Sequence, residues 1–147
     1  MTDTRILSVE NLSVAYEDGG GSYNILDDVS FTLRKGEILG IVGESGSGKS
    51  MTCRALMRLL PSSRLRETGG AVRLEDGRDV LSLPQDELSQ VRGRRIGMIF
   101  QNPASHLDPV MSIGRQIAES IRYHRKLGRT EAWAQMLDIL RQVGIPD

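Results

Sequence analysis

Three observations predict an α/β fold that begins with an antiparallel β portion. Leu7 and Val9, then Leu12, Val14 and Tyr16, then Val29, Phe31 and Leu33 occupy alternating positions, the pattern of half-buried strands. Residues 38–42 (Ile-Leu-Gly-Ile-Val) are instead a continuous apolar run, as in a strand buried on both faces. A glycine-rich loop follows at once, and Leu56, Leu59 and Leu60 then recur at helical spacing until Pro61 stops the pattern.

The elements can be justified in order. Residues 17–22 (Glu-Asp-Gly-Gly-Gly-Ser) read as a turn between two strands, and Lys35-Gly36 turns the chain into the apolar run. Residues 62–70 are polar and read as a loop. Val72 and Leu74, the Asp76-Gly77 turn, and Val80 and Leu81 predict a short hairpin. Residues 84–91 predict a short helix, with Ser82 or Leu83 as N-cap and proline in its first turn. Residues 96–100 read as a second buried strand ending in Gln101-Asn102-Pro103, and 104–111 as an irregular loop that proline keeps stiff. Ser112 can cap a helix carrying Ile113, Ile117 and Ile121 on one face. Thr130 can cap another, with Trp133, Met136, Leu137, Leu140 and Val143 on one face and Gly144 as its stop.

The loop carries the clearest chemistry. Gly43-Glu44-Ser45-Gly46-Ser47-Gly48-Lys49-Ser50 fits G-x-x-x-x-G-K-[ST]. Glycines let the backbone adopt conformations closed to other residues and bring its N–H groups close to an anion. Those of residues 45–50 would form a nest at a helix N-terminus, where the dipole favours phosphate. Lys49 supplies a mobile positive charge for β- and γ-phosphates, and the Ser50 hydroxyl is a Mg²⁺ ligand. A chance match of the four fixed positions in a chain of average composition is on the order of 1%. The strand before and helix after lower it further.

Composition sets bounds. A chain of 147 residues is one compact domain or part of a larger protein. Lysine plus arginine (19) balance aspartate plus glutamate (19), so no overall field draws the chain to nucleic acid or an anionic membrane. No apolar run approaches the roughly 20 residues of a spanning helix, and the polar start is no signal peptide. Cys53 is the single cysteine, which excludes a disulfide framework and a cysteine metal cluster. A soluble protein of the reducing interior is expected, touching a membrane only through a partner.

Hydrolysis needs more than a phosphate cradle. It needs a carboxylate at the end of a second apolar strand to hold Mg²⁺, and a group that orients the attacking water. No apolar run of four in the sequence ends in aspartate or glutamate. The residues thus predict a phosphate site with an incomplete catalytic apparatus.

Four segments together resemble the N-terminal part of the nucleotide-binding subunit of ABC transporters. They are Leu12-Ser13-Val14-Ala15-Tyr16, Leu26-Asp27-Asp28-Val29-Ser30-Phe31, Gly36-Glu37-Ile38-Leu39-Gly40-Ile41-Val42-Gly43 leading into the loop, and Ile96-Gly97-Met98-Ile99-Phe100-Gln101-Asn102-Pro103. The loop, with Asn102-Pro103-Ala104-Ser105-His106-Leu107-Asp108-Pro109, is most similar to the oligopeptide/dipeptide/nickel importer branch. The resemblance implies a P-loop NTPase core of ABC type, with an antiparallel N-terminal β-subdomain and the start of a helical subdomain, C-terminally incomplete. On that reading, 1–36 is the β part, 37–103 the P-loop core and 104–147 the start of the helical subdomain.

The same resemblance implies site roles and ligands. Tyr16 matches the aromatic that stacks on adenine, with Tyr23 as second candidate. Gly43, Glu44, Ser45, Gly46, Ser47, Gly48, Lys49, Ser50 and Met51 surround the phosphates of ATP; the family often has threonine where Met51 stands, but its backbone N–H can serve. Gln101 matches the glutamine that touches Mg²⁺ and the attacking water and senses the γ-phosphate, so Lys49 and Gln101 are the catalytic candidates and Ser50 and Gln101 the metal candidates. The loop after Gln101 lies where the membrane subunit docks.

Other residues read as structural. His106 reads as an exposed loop residue and His124 as a helix C-terminal residue favoured by the dipole. Cys53 reads as a small buried apolar residue, Arg92, Arg94 and Arg95 as a solvated turn, and Trp133 as a core or subdomain-interface anchor.

The function expected from the resemblance is an ATP-binding subunit that couples ATP binding and hydrolysis to import of a di- or oligopeptide. It would work with transmembrane permease subunits and a second ATP-binding subunit, on the cytoplasmic face of the membrane and without nucleic acid. The chain itself is expected to be an N-terminal fragment that binds MgATP but does not turn it over alone. It stops before the family's Leu-Ser-Gly-Gly-Gln motif, Mg²⁺ aspartate, catalytic glutamate and switch histidine. Two alternatives are a non-catalytic module that binds a permease or a full-length ATPase, and a soluble ABC-type ATPase acting on nucleic acid or ribosomes.

Overall fold

The computed structural model describes residues 4–145, without the side chains of Pro103 and Ala104. The chain divides into two compact units, Met1–Ser89 and Gln90–Asp147. The first is built on a three-stranded antiparallel sheet, β1 (Arg5–Asp18), β2 (Gly21–Arg34) and β3 (Leu65–Leu74), in the order β2-β1-β3. The two alternating segments at the N-terminus are thus one bulged strand. Residues 19–20 turn it into β2, where the Asp18 carboxylate accepts the Gly20 N–H at 2.8 Å.

β3 runs through the stretch expected to be a loop. Its Leu-Arg-Glu-Thr-Gly-Gly start shows no apolar alternation because it pairs at the edge of the sheet, where side chains stay wet. Gly70 there has φ +92°, and a Cβ would sit 2.5 Å from the carbonyl oxygens of both Glu10 and Asn11. The pairing shifts register between Glu10 and Ser13, and Asn11 takes a left-handed φ of 51°. The Asn11 amide is held by Asp28, and the Asn11 N–H donates to Ser30 Oγ at 2.8 Å. A bulge on β1 and a glycine on β3 therefore require each other.

The expected hairpin after β3 is only half formed. Gly77 turns the chain at φ +82°, but the return arm is a single bridge, Arg73 to Asp79. Asp79 ends it: its Oδ1 accepts the N–H groups of Val72 (2.9 Å) and Leu81 (3.1 Å), and Oδ2 accepts the Ser82 hydroxyl. Capped this way, Val80–Ser82 winds into one 3₁₀ turn rather than extending. The core of this unit gathers Val9, Leu12, Val14, Leu26, Val72, Leu74, Val80 and Leu88.

Two predicted strands are not formed. Residues 38–42 and 97–100 carry no strand pairing; Ile38 is 98% exposed, and Val42 and Ile99 are each 94% exposed. An all-apolar strand is stable only between neighbouring strands that complete its hydrogen bonds and cover both faces. The sheet formed by the described residues sets none beside either run.

Helix α1 (Lys49–Ala55) is shorter than its leucine spacing suggests. Leu59 N–H donates to Arg54 O and Arg58 N–H to Ala55 O, with Arg58 left-handed at φ 51°. This Schellman closure ends the helix before Leu59 and Leu60. Cys53 on α1 is exposed, contrary to expectation, because the helix turns Thr52 and Ala55 inward instead. α2 (Gln85–Val91) forms where predicted.

The second unit centres on α3 (Ile113–Arg125) and α4 (Arg129–Gln142), whose Ala118, Ile121, Ala132 and Met136 form its core. Ser112 is the N-cap of α3, as expected. α4 starts two residues earlier than expected, with Gly128 as N-cap, where the Glu131 carboxylate accepts the Gly128 N–H; Thr130 lies inside the helix. Gly144, at φ +78°, closes α4 as predicted. Trp133 stays half exposed, with its ring edge close to Gly114.

Candidate functional site

The loop of residues 43–50 turns on two glycines in the left-handed region, with a third, Gly43, close to the Ser47 side chain. Gly46 and Gly48 have φ of +83° and +89°, in the left-handed region that favours glycine. A Cβ on Gly43 would meet Ser47 Oγ at 2.7 Å, and one on Gly48 would meet Leu26 Cδ2 at 2.7 Å. Gly48 thus pins the start of α1 against β2, at the point where Leu26 pairs with Val14.

Gly48 is also the N-cap of α1. Its carbonyl accepts both the Thr52 N–H at 2.8 Å and the Thr52 hydroxyl at 3.1 Å. Thr52 is the one buried polar residue among those described, and sequence reasoning missed it; its position four residues after the last loop glycine was the available signal. The N–H groups of Lys49, Ser50 and Met51 head the helix and have no intrahelical carbonyl to donate to. They are left for water or a ligand to satisfy.

Lys49 crosses the loop it belongs to. Its ammonium donates to the carbonyl of Gly43 at 2.8 Å, to that of Glu44 at 2.6 Å and to Ser47 Oγ at 3.3 Å. The Ser47 N–H closes a turn onto Glu44 O at 3.3 Å. The charge of Lys49 is therefore centred over the glycine arc, and its neighbours Ser45 and Ser50 are exposed.

Tyr16 lies in the central strand, half-buried, opposite Tyr23 on β2 and Leu65 on β3. Directly opposed residues share a face, so the two tyrosines expected as alternatives are one cross-strand pair. The phenol oxygen of Tyr16 accepts from Arg64 Nη1 at 3.1 Å, an anchor with no sequence signal. Tyr16 is two residues along β1 from Val14, whose partner Leu26 touches the loop.

Gln101 belongs to the second unit and is exposed. Just before it, Phe100 stacks on His106 with ring centroids 4.0 Å apart, which ties the two ends of this segment together. After it, the Gln116 side chain accepts the Asp108 N–H and donates to the carbonyls of Asp108 and Met111, so α3 holds the end of the loop. Among the described residues no group of three or more acidic, histidine or cysteine side chains could hold a metal. No described helix is long and apolar enough to cross a membrane.

The sequence matches the model of a family described as ABC transporter over residues 26–147. A Brucella melitensis protein named for peptide import is 47% identical over 142 residues, which is 97% of this chain and 42% of that one. The oligopeptide transport ATP-binding protein OppD of Bacillus subtilis is 42% identical over 97% of this chain and 40% of its own length. The dipeptide transport ATP-binding protein DppD of Lactococcus lactis is 43% identical over 100% of this chain and 42% of its own length. The chain thus spans well under half the length of these relatives. Among solved structures, the dimeric ABC transporter cassette MJ0796 superposes with a TM-score of 0.75 at 25% identity, over 92% of this chain and 56% of that one.

Proposed function

The chain belongs to the ABC transporter family, and on that premise we propose that it is the phosphate-loop part of an ATP-binding subunit serving import of a di- or oligopeptide. The observation that carries the reading is the glycine arc of residues 43–48, in which Gly46 and Gly48 are demanded by φ and Gly43 lies close to Ser47 Oγ, with the Lys49 ammonium held over it. Such an arc fits a chain of phosphate oxygens, because its amides and the lysine supply donors without a side chain in the way. The peptide class is supported by the names of the relatives.

In this proposal the amides of residues 45–51 and Lys49 hold the ATP phosphates, and Tyr16, with Tyr23 beside it, offers a ring face to adenine. The Ser50 hydroxyl, exposed at the head of α1, fits a Mg²⁺ ion, a hard cation that takes oxygen ligands. Bound Mg²⁺ would neutralise charge on the β- and γ-phosphate oxygens. Gln101 is assigned to sense the γ-phosphate and touch the metal and attacking water. Residues 1–36, 37–103 and 104–147 are assigned as β part, P-loop core and start of the helical subdomain. The partners proposed are permease subunits and a second ATP-binding subunit, with the assembly peripheral to the cytoplasmic face of a membrane.

The chain is also proposed to bind MgATP without appreciable turnover. No apolar run of four in this sequence ends in a carboxylate placed to hold the metal and direct water. A phosphate-release assay on the purified chain is expected to show no turnover above that of Lys49→Ala. Sustained release that Lys49→Ala abolishes would contradict this part of the reading.

A further inference from the structure

A second cleft, remote in sequence from the glycine loop, gathers three cationic side chains beside one imidazole. It has a volume of about 540 Å³ and is lined by Gly93, Arg94, His124, Arg125 and Lys126, all within the second unit. Among the described residues no carboxylate lines it. The groove between α3 and α4, by contrast, sets Glu119 among Arg115, Arg122 and Arg129.

The wall of this cleft is held by backbone hydrogen bonds and close packing. Gly93 takes φ +77°, and its N–H donates to Ile96 O at 2.8 Å; Arg95 and Ile96 both return N–H bonds to Val91 O. A Cβ on Gly93 would lie 2.7 Å from His124 Nε2, so the turn rests on the imidazole with no room for a side chain. Arg125 is steadied by a 2.7 Å bond from Nη1 to Gln135 Oε1. Lys126 sits at the left-handed C-cap of α3, with its N–H on Arg122 O at 2.9 Å.

A helix C-terminus attracts cations by itself, and some of this charge answers the α3 dipole. That dipole amounts to about half an elementary charge. Arg94, Arg125 and Lys126 bring three full charges, and Arg94 comes from a different segment, so most of the charge is uncompensated. His124 lines the cleft too; its Nδ1 is buried and without a hydrogen-bond partner among the described residues, so the ring serves the cleft as wall rather than as ligand.

We propose that this cleft is an oxyanion site for a phosphate group, separate from the glycine loop. A single carboxylate would leave two cations over, whereas a phosphomonoester carries close to two charges and three acceptor oxygens. The volume exceeds that of phosphate, so the group can be free phosphate, a small phosphorylated compound, or the headgroup of an anionic lipid.

The test uses the full chain carrying Lys49→Ala, which silences the glycine loop. The chain has two histidines, and His106, stacked on Phe100, serves as internal control. Inorganic phosphate titrated at constant ionic strength is expected to shift the His124 ring resonances saturably and leave those of His106 in place. Arg94→Ala combined with Lys126→Gly should weaken the effect at least tenfold. Glycine suits the φ of +55° at 126, and Arg94→Ala alone, in an exposed turn, should weaken it severalfold with the fold kept. Vesicles of phosphatidylcholine with phosphatidic acid then separate the sources. Sedimentation of the chain that the double variant abolishes indicates a lipid headgroup, and phosphate binding without sedimentation indicates a soluble compound. No saturable shift, a shift reproduced by chloride, or one unchanged in the variants overturns the proposal.

Discussion

Gly70→Ala is expected to destabilise the first unit by about 3 kcal/mol or more, a large part of the roughly 5–15 kcal/mol that holds a domain together. Two costs add. A left-handed φ of +92° costs an alanine about 1 kcal/mol or more. The new Cβ would also lie 2.5 Å from two backbone oxygens, of Glu10 and Asn11, which no rotamer change can move. Relief requires the β1 bulge to shift, and with it the Asn11 bonds to Ser30 and Asp28. Gly77→Ala is the matched control: its φ is +82°, yet nothing lies within 4 Å of the added Cβ. It should cost only about 1 kcal/mol. Urea unfolding of both variants separates the backbone term from the contact term, and equal losses would show that the β1–β3 approach is not tight.

Gly48→Ala is expected to lower nucleotide affinity at least tenfold while lowering stability by about 1–3 kcal/mol. Its φ of +89° again disfavours alanine. The contact is of a different kind, however, since the Cβ would meet Leu26 Cδ2 at 2.7 Å, the end of a side chain that is buried but can turn. The unit can therefore remain folded while the loop swings away from β2, carrying the helix-head amides and Lys49 with it. Titration calorimetry with MgATP beside thermal unfolding distinguishes this from simple loss of structure. Affinity retained in the variant would mean that the seat of Gly48 on Leu26 does not shape the phosphate cradle.

How far the molecule could be read from its residues follows from where its interactions lie in sequence. β1 and β2 were legible because one face of each is buried by near neighbours, which leaves alternation in the chain. β3 was not, since Arg66, Glu67, Gly69 and Gly70 belong to an edge whose partner lies some fifty to sixty residues away. Residues 38–42 erred in the opposite direction: their composition specifies a strand between strands, and no described strand lies beside them. Asp79 turned a predicted arm into a 3₁₀ turn through side-chain bonds that binary patterning ignores.

The glycine loop was legible because its whole geometry is written in eight consecutive residues. Its supports were not. Leu26, which seats Gly48, and Arg64, which anchors Tyr16, are contacts made by the fold. Arg94 and His124 illustrate the same limit, as a turn read as solvated and a helix end read as a dipole partner prove to line one cleft.

The central claim is that the arc from Gly43 to Ser50 binds the phosphates of ATP, and one measurement bears on it most directly. Thermal unfolding of the chain with MgATP at a hundredfold excess over Kd should show about 2.7 kcal/mol of stabilisation. That is a rise of roughly 5–10 °C in Tm at about 2–4 °C per kcal/mol. Lys49→Ala, which removes the ammonium from Gly43 O and Glu44 O, should abolish the rise and leave the transition cooperative. An equal rise in Lys49→Ala, or none in the parent chain, would contradict the assignment.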